Sequence, residues 1–161
     1  MYYRQPYDQT GWGLRQTGMP LPYTALQESL QLIQATANAE SNTESFFRKL
    51  IELAPSEEAR GIITSIRDDE RKHLNILREI YAAFTGRDVQ VTAPITMYKD
   101  VTSYEEGLKE ALFNKWATEQ RAGSILAAMP TGYYQNLLAK IAIDNVAISS
   151  KWNYLLSALR R

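Results

Sequence analysis

The chain has 161 residues, 45% of them apolar, which is enough to bury one ordinary core and fits a single domain. Eighteen basic residues balance eighteen acidic ones, so no large net field exists to draw nucleic acid or an anionic membrane. Cysteine is absent, and with it go disulfides, thiolate catalysis, zinc ribbons and iron–sulfur sites. Neither a signal pattern from Met1 through Pro22 nor an apolar run of membrane-spanning length is present, so the expectation is a cytoplasmic protein.

Residues 1–22 carry Tyr2, Tyr3, Tyr7 and Trp12 among Gln, Gly and Pro without any period, and read as an irregular N-terminal arm. Its aromatic residues are candidates for docking on a neighbouring subunit. A bundle is expected over 23–161, with a first hairpin over about 24–85, a crossover over 86–102 and a second hairpin over about 103–160.

From Thr24 the positions Leu26, Leu30, Ile33, Ala37, Glu40, Glu44, Phe47 and Ile51 recur at steps of four and three, predicting one helix that ends near Ala54-Pro55. Ser56, with Glu57 and Glu58 behind it, has the form of an N-cap and acidic first turn. So short a connection makes the two helices antiparallel. The second stripe runs Ala59, Ile63, Ile66, Glu70, His73, Leu77, Ile80 and Phe84 before Gly86 stops it.

Residues 87–102 have β-branched residues, Pro94 and no helical period; they fit a crossover along the bundle, with room for a short strand within Val89–Thr92. Ser103 and Glu106 form a capping-box pair for the third helix, whose stripe is Leu108, Leu112, Lys115, Glu119, Ala122, Leu126 and Met129. A turn at Pro130–Gly132 leads to the fourth stripe, Tyr134, Leu138, Ile141, Asn145, Ile148, Trp152, Leu155 and Leu159.

Shifted by 75 residues, the first hairpin falls on the second. Glu40, Glu70 and His73 correspond to Lys115, Asn145 and Ile148. Four-helix carboxylate proteins hold two metal ions with one Glu from each of two helices and a Glu-x-x-His from each of the other two. Half of that set is present here. The three-residue spacing of Glu70 and His73 puts both on one helix face, within reach of Glu40 on the antiparallel neighbour.

The chain resembles the rubrerythrin-like branch of the ferritin-like superfamily. The resemblance rests on Ala39-Glu40 ahead of Phe46-Phe47, on Asp69-Glu70-Arg71-Lys72-His73, on Ile80-Tyr81 and on Thr85-Gly86. In the second half it rests on Gly107 to Leu112, Tyr133-Tyr134 through Asp144, and Asn153-Tyr154-Leu155. It covers about Thr24 to Leu159 and implies an all-α, ferritin-like four-helix bundle, a di-iron or mixed-metal centre that reacts with oxygen or peroxide, and a homodimer or other homo-oligomer. By analogy of fold it also allows a place in spore-associated assemblies.

The departures fall on the ligands. Lys115 is a cation without a lone pair, Asn145 replaces a bridging carboxylate, and Ile148 has no donor atom. The expectation is a non-catalytic structural or interaction protein in which Lys115 neutralises Glu40 or Glu70, without a cofactor. The alternative is a metalloprotein with one iron or manganese ion on Glu40, Glu70 and His73, with Glu44 and Glu119 as further ligands. Against that alternative, Glu44 and Glu119 lie near the stripe edge and reach water, Glu119 pairing with Lys115 at i+4. Trp116, Trp152 and Phe47 read as packing residues, as do Tyr81, Tyr134 and Tyr154.

Overall fold

A computed structural model of the chain describes residues 22–38, 40–90 and 98–160, with the side chains of 26–36, 43–90 and 98–160. The residues ahead of Pro22 lie outside the described part, as does the second half of the candidate strand at Val89–Thr92. Five helices follow in order: α1 (Pro22–Asn38), α2 (Glu40–Leu53), α3 (Glu57–Thr85), α4 (Tyr104–Ala128) and α5 (Tyr133–Ala158). No strand occurs among the described residues.

The helix expected from Thr24 to Ala54 is described as the two spans α1 and α2, with residue 39 between them outside the described residues. The described part of α1 begins at Pro22. Both α1 and α2 pack against α3 and α4, so they share one corner of the bundle. The buried side of α2 is centred on Phe46, Phe47 and Leu50, with Ile51 only half buried.

The remaining boundaries follow the local chemistry of the sequence. Ser56 Oγ accepts from the Ala59 N–H at 3.1 Å and opens α3, which closes at Gly86 with a left-handed φ of 67°. At α4, Ser103 Oγ accepts from the Glu106 N–H at 3.2 Å, while the Glu106 carboxylate reaches back to the Thr102 N–H at 3.0 Å. The reciprocal arm of the capping box thus lands one residue earlier than its standard form.

Short turns make α2–α3 and α4–α5 antiparallel pairs, and α3 packs on α5. Among the described residues the backbones of α3 and α4 do not approach closely, nor do those of α1 or α2 and α5, although side chains meet across the core, as Phe47 of α2 does with Trp152 of α5. The start of α4 lies against the end of α2, because a Cβ placed on Gly107 would stand 2.6 Å from Leu50 Cδ1. Residues 86–103 must therefore travel the length of the bundle, from the end of α3 to the level where α3 began. Gln34 of α1 donates to the Gln90 carbonyl, and Tyr98 stacks on Phe46 of α2 with ring centroids 4.0 Å apart, which traces that path.

Two apolar clusters fill the interior. One gathers Phe47, Leu50, Ile66, Leu112, Ile148 and Trp152. The other gathers Ile33, Leu77, Ile80, Ile125, Leu138 and Ile141. Along α3 the step from Ile66 to Leu77 passes Glu70 and His73; along α4 the step from Leu112 to Ile125 passes Lys115; along α5 the step from Ile141 to Ile148 passes Asn145. A polar layer separates the two cores.

The outer edges of the predicted stripes are less buried than their period suggests. Phe84 and Leu159 are exposed, as are Trp116 and Tyr154, which the sequence reads as packing residues, and on α4 it is Ile125 rather than Leu126 that is fully inside. No helix among the described residues is long and apolar enough to cross a membrane.

Candidate functional site

The polar layer is built by three helices whose stripes bring one or two hydrophilic side chains each to the same height. Lys115 Nζ, on a side chain 4% exposed, donates to Glu70 Oε1 at 2.6 Å and to Asn145 Oδ1 at 2.6 Å. These are the positions 75 residues on from Glu40 and from Glu70. The ammonium thus joins the Glu70 carboxylate of the first hairpin to the amide at the corresponding place of the second. Burying an ammonium without such partners costs several kcal/mol, so the two short bonds are what make the position tolerable.

His73 lies beside this pair and is also buried. Its Nε2 is 3.2 Å from Asp144 Oδ2, an oxygen that also accepts from Lys140 Nζ at 2.7 Å. Lys140, aided by His73, holds the Asp144 carboxyl below the usual aspartate range. In the neutral ring Nε2–H donates to Asp144, and Nδ1 is left as a lone pair. That Nδ1 is buried without a hydrogen-bond partner among the described residues.

The repeat mate of Asp144 is Asp69, and position 148 is the mate of His73. Where Asp144 holds a histidine, Asp69 has no histidine opposite it. Asp69 instead takes Lys72 at 3.0 Å and Lys151 at 3.3 Å. Ile148 packs in the apolar cluster at 1% exposure.

Glu44 points outward to Arg71, which grips it through Nε–Oε1 at 2.5 Å and Nη2–Oε2 at 2.6 Å. The guanidinium holds the Glu44 carboxyl below its ordinary range, and 43% of the side chain remains exposed. Glu119 is half buried and accepts from Ser149 Oγ. The expected i+4 pairing of Glu119 with Lys115 is corrected by this geometry, because Lys115 turns across the bundle to Glu70 and Asn145. Glu40 opens α2, and its side chain lies outside the described residues. Among the described residues no three His, Asp or Glu side chains converge as a metal site would require.

A cavity of about 100 Å³ adjoins the layer. Glu70, His73, Lys115 and Asn145 stand at its polar side, Leu77, Ile125, Leu138 and Ile141 at its apolar side, and Tyr98 of the crossover also lines it. Burial pushes the Tyr98 hydroxyl well above its ordinary value. Arg71, Asp144 and Ser149 were not among the sequence candidates. Asp144 had a signal, its place 75 residues after Asp69; Arg71 and Ser149 lie off the helical stripes and had none.

No family model matches the chain. Over 70 residues the chain is 36% identical to the uncharacterized protein YhjR of Bacillus subtilis (strain 168), a match covering 44% of this chain and 48% of that protein. The chain thus matches about half the length of that relative. The crystal structure of a conserved hypothetical protein, Rv2844, from Mycobacterium tuberculosis superposes with a TM-score of 0.66 at 15% identity, covering 86% of this chain and 94% of the other. At that identity the likeness extends to the helical-bundle fold alone.

Proposed function

We propose that the chain is a ferritin-like, non-catalytic structural or interaction protein whose ancestral two-metal centre has become a lysine–carboxylate cluster. The observation that carries this reading is the buried Lys115 ammonium, 2.6 Å from both Glu70 Oε1 and Asn145 Oδ1. The ferritin-like arrangement is supported by the diagonal placement of α3 and α4 and by the full-length connection between them. A two-metal centre does not fit the donors present: one former ligand position is a cation, another is an amide and a third is an alkyl group. A pair of this kind adds little net stability, and its value lies in fixing helix register.

The test is to put the ligands back. Lys115→Glu with Asn145→Glu and Ile148→His should yield a helical protein that binds two iron ions per chain. A correctly folded triple variant that ignores iron would sink the descent from a two-metal protein.

A second reading is favoured by one specific feature, the unpartnered Nδ1 of His73. Second-layer carboxylates orient metal-bound histidines by accepting from the ring nitrogen that faces away from the metal, as Asp144 does here. On this reading one iron or manganese ion is held by His73 and Glu70, with Glu40 as the third donor, and Lys115 swings off Glu70. Metal content of the untagged chain decides between the two. Near one equivalent, lost in Glu70→Ala, supports the single-ion site; less than about a tenth of an equivalent supports the cluster.

A further inference from the structure

The duplication also supplies an internal control for the surface. On the second hairpin Phe113, Trp116, Ile143 and Val146 are 60%, 48%, 71% and 65% exposed. Seventy-five residues earlier stand Asn38, Ser41, Asp68 and Arg71, all polar or charged. Two copies of one hairpin share the same core requirement, so the difference reflects what lies outside each. The four apolar residues also belong together. Trp116 is three residues before Glu119 and Val146 three before Ser149, and Glu119 and Ser149 bond across the α4–α5 seam. Phe113 meets Trp116 edge-to-face with centroids 5.2 Å apart.

We infer that the outer face of α4 and α5 is a symmetric interface with a second copy of this chain. Aromatic and aliphatic side chains without charges are the composition of an interface core, and the outward neighbours Gln120 and Ser150 are uncharged and exposed. The four residues expose roughly 500 Å² between them, over half of the ~800 Å² that a stable interface takes from each partner. A self-complementary face meets itself, so it has to avoid like charges on the twofold axis. This one does. The nearest exposed lysines, Lys109 and Lys140, stand at its ends and are already paired with Glu105 and Asp144.

The inference is read from the mass of the full chain by light scattering across a concentration series. The unmodified protein is expected at twice its 18.3 kDa. Trp116→Glu and Val146→Glu replace exposed side chains and should keep their helical circular dichroism. Each should raise the dimer dissociation constant by more than about a hundredfold, because a symmetric contact loses the residue twice. Lys49→Glu, on the first hairpin, should leave the dimer unchanged. A parent chain that stays monomeric overturns the inference, and so does a dimer that both charged variants leave intact. Should a variant misfold, the absence of native cysteine allows a second measurement: Gln120→Cys should be joined into dimers by a flexible bis-maleimide and Lys49→Cys should not. The opposite pattern refutes the interface.

Discussion

Replacing Lys115 by methionine keeps most of the side chain's volume and removes its charge. Glu70 then loses the donor at 2.6 Å on Oε1, and Asn145 Oδ1 loses its bond in a position 2% exposed. Breaking a buried pair from one side costs about 3–5 kcal/mol. The Glu70 side chain retains 24% exposure, so water softens the penalty and about 3 kcal/mol is the expectation. For a chain of this length each kcal/mol moves Tm by about 2–4 °C, giving a fall of about 9 °C. Urea unfolding followed by circular dichroism at 222 nm measures the free energy, with an unchanged m-value expected. The double variant Lys115→Met, Glu70→Gln removes both charges and should recover to within about 1 kcal/mol of the parent, well short of the sum of the two single variants. A single variant that costs less than about 1 kcal/mol, or a double variant whose cost is the sum of the two singles, would refute the buried-pair reasoning.

Two further outcomes follow from the same packing. Gly107→Ala would put a methyl 2.6 Å from Leu50 Cδ1, so the fully buried Leu50 side chain must shift, and after the gain in helix propensity a net loss of about 1 kcal/mol is expected in the same urea assay. Acid should weaken the fold through carboxylates held low by cations. Arg71 depresses Glu44, and Lys140 with His73 depresses Asp144, so their contribution is present above the ordinary carboxylate range and disappears as pH falls through the depressed values. Stability should decline below about pH 4, and Glu44→Gln should make that decline shallower; an identical slope in the variant would contradict the assignment.

The sequence made the helices legible wherever a stop or start signal was chemical. Ser56, Gly86 and Ser103 mark boundaries because their side chains or φ angles do a specific job at helix ends, and the structure uses each of them so. Within the polar layer, period alone put Glu70, His73, Lys115 and Asn145 inside. It could not choose between Glu119 and Glu70 as the partner of Lys115, because an intrahelical i+4 neighbour is visible in sequence and a partner 45 residues away is not. The clamp of Arg71 on Glu44 has the same character, since exposed charges carry no periodic signature.

The two readings place either the Lys115 ammonium or a cation on the same Glu70 oxygen, and that difference separates them more sharply than metal content alone. With Lys115 in place, Glu70 Oε1 is held by an ammonium 2.6 Å away, while His73 Nδ1 lacks a partner among the described residues. If the ammonium stands where a metal once did, Lys115→Met frees Glu70 to act with His73 and should bind manganese or iron more tightly than the parent. A gain of about tenfold in affinity corresponds to about 1.4 kcal/mol. Titration calorimetry would then show binding in Lys115→Met that Glu70→Gln or His73→Ala abolishes. If the parent already binds one ion with Lys115 turned away, removing the lysine should change affinity little, since the rearrangement is already complete. A Lys115→Met protein that is folded, has an accessible cavity and binds no cation at all would show that Glu70 and His73 no longer form a metal site, and the histidine's orientation by Asp144 would then be a packing feature of the bundle.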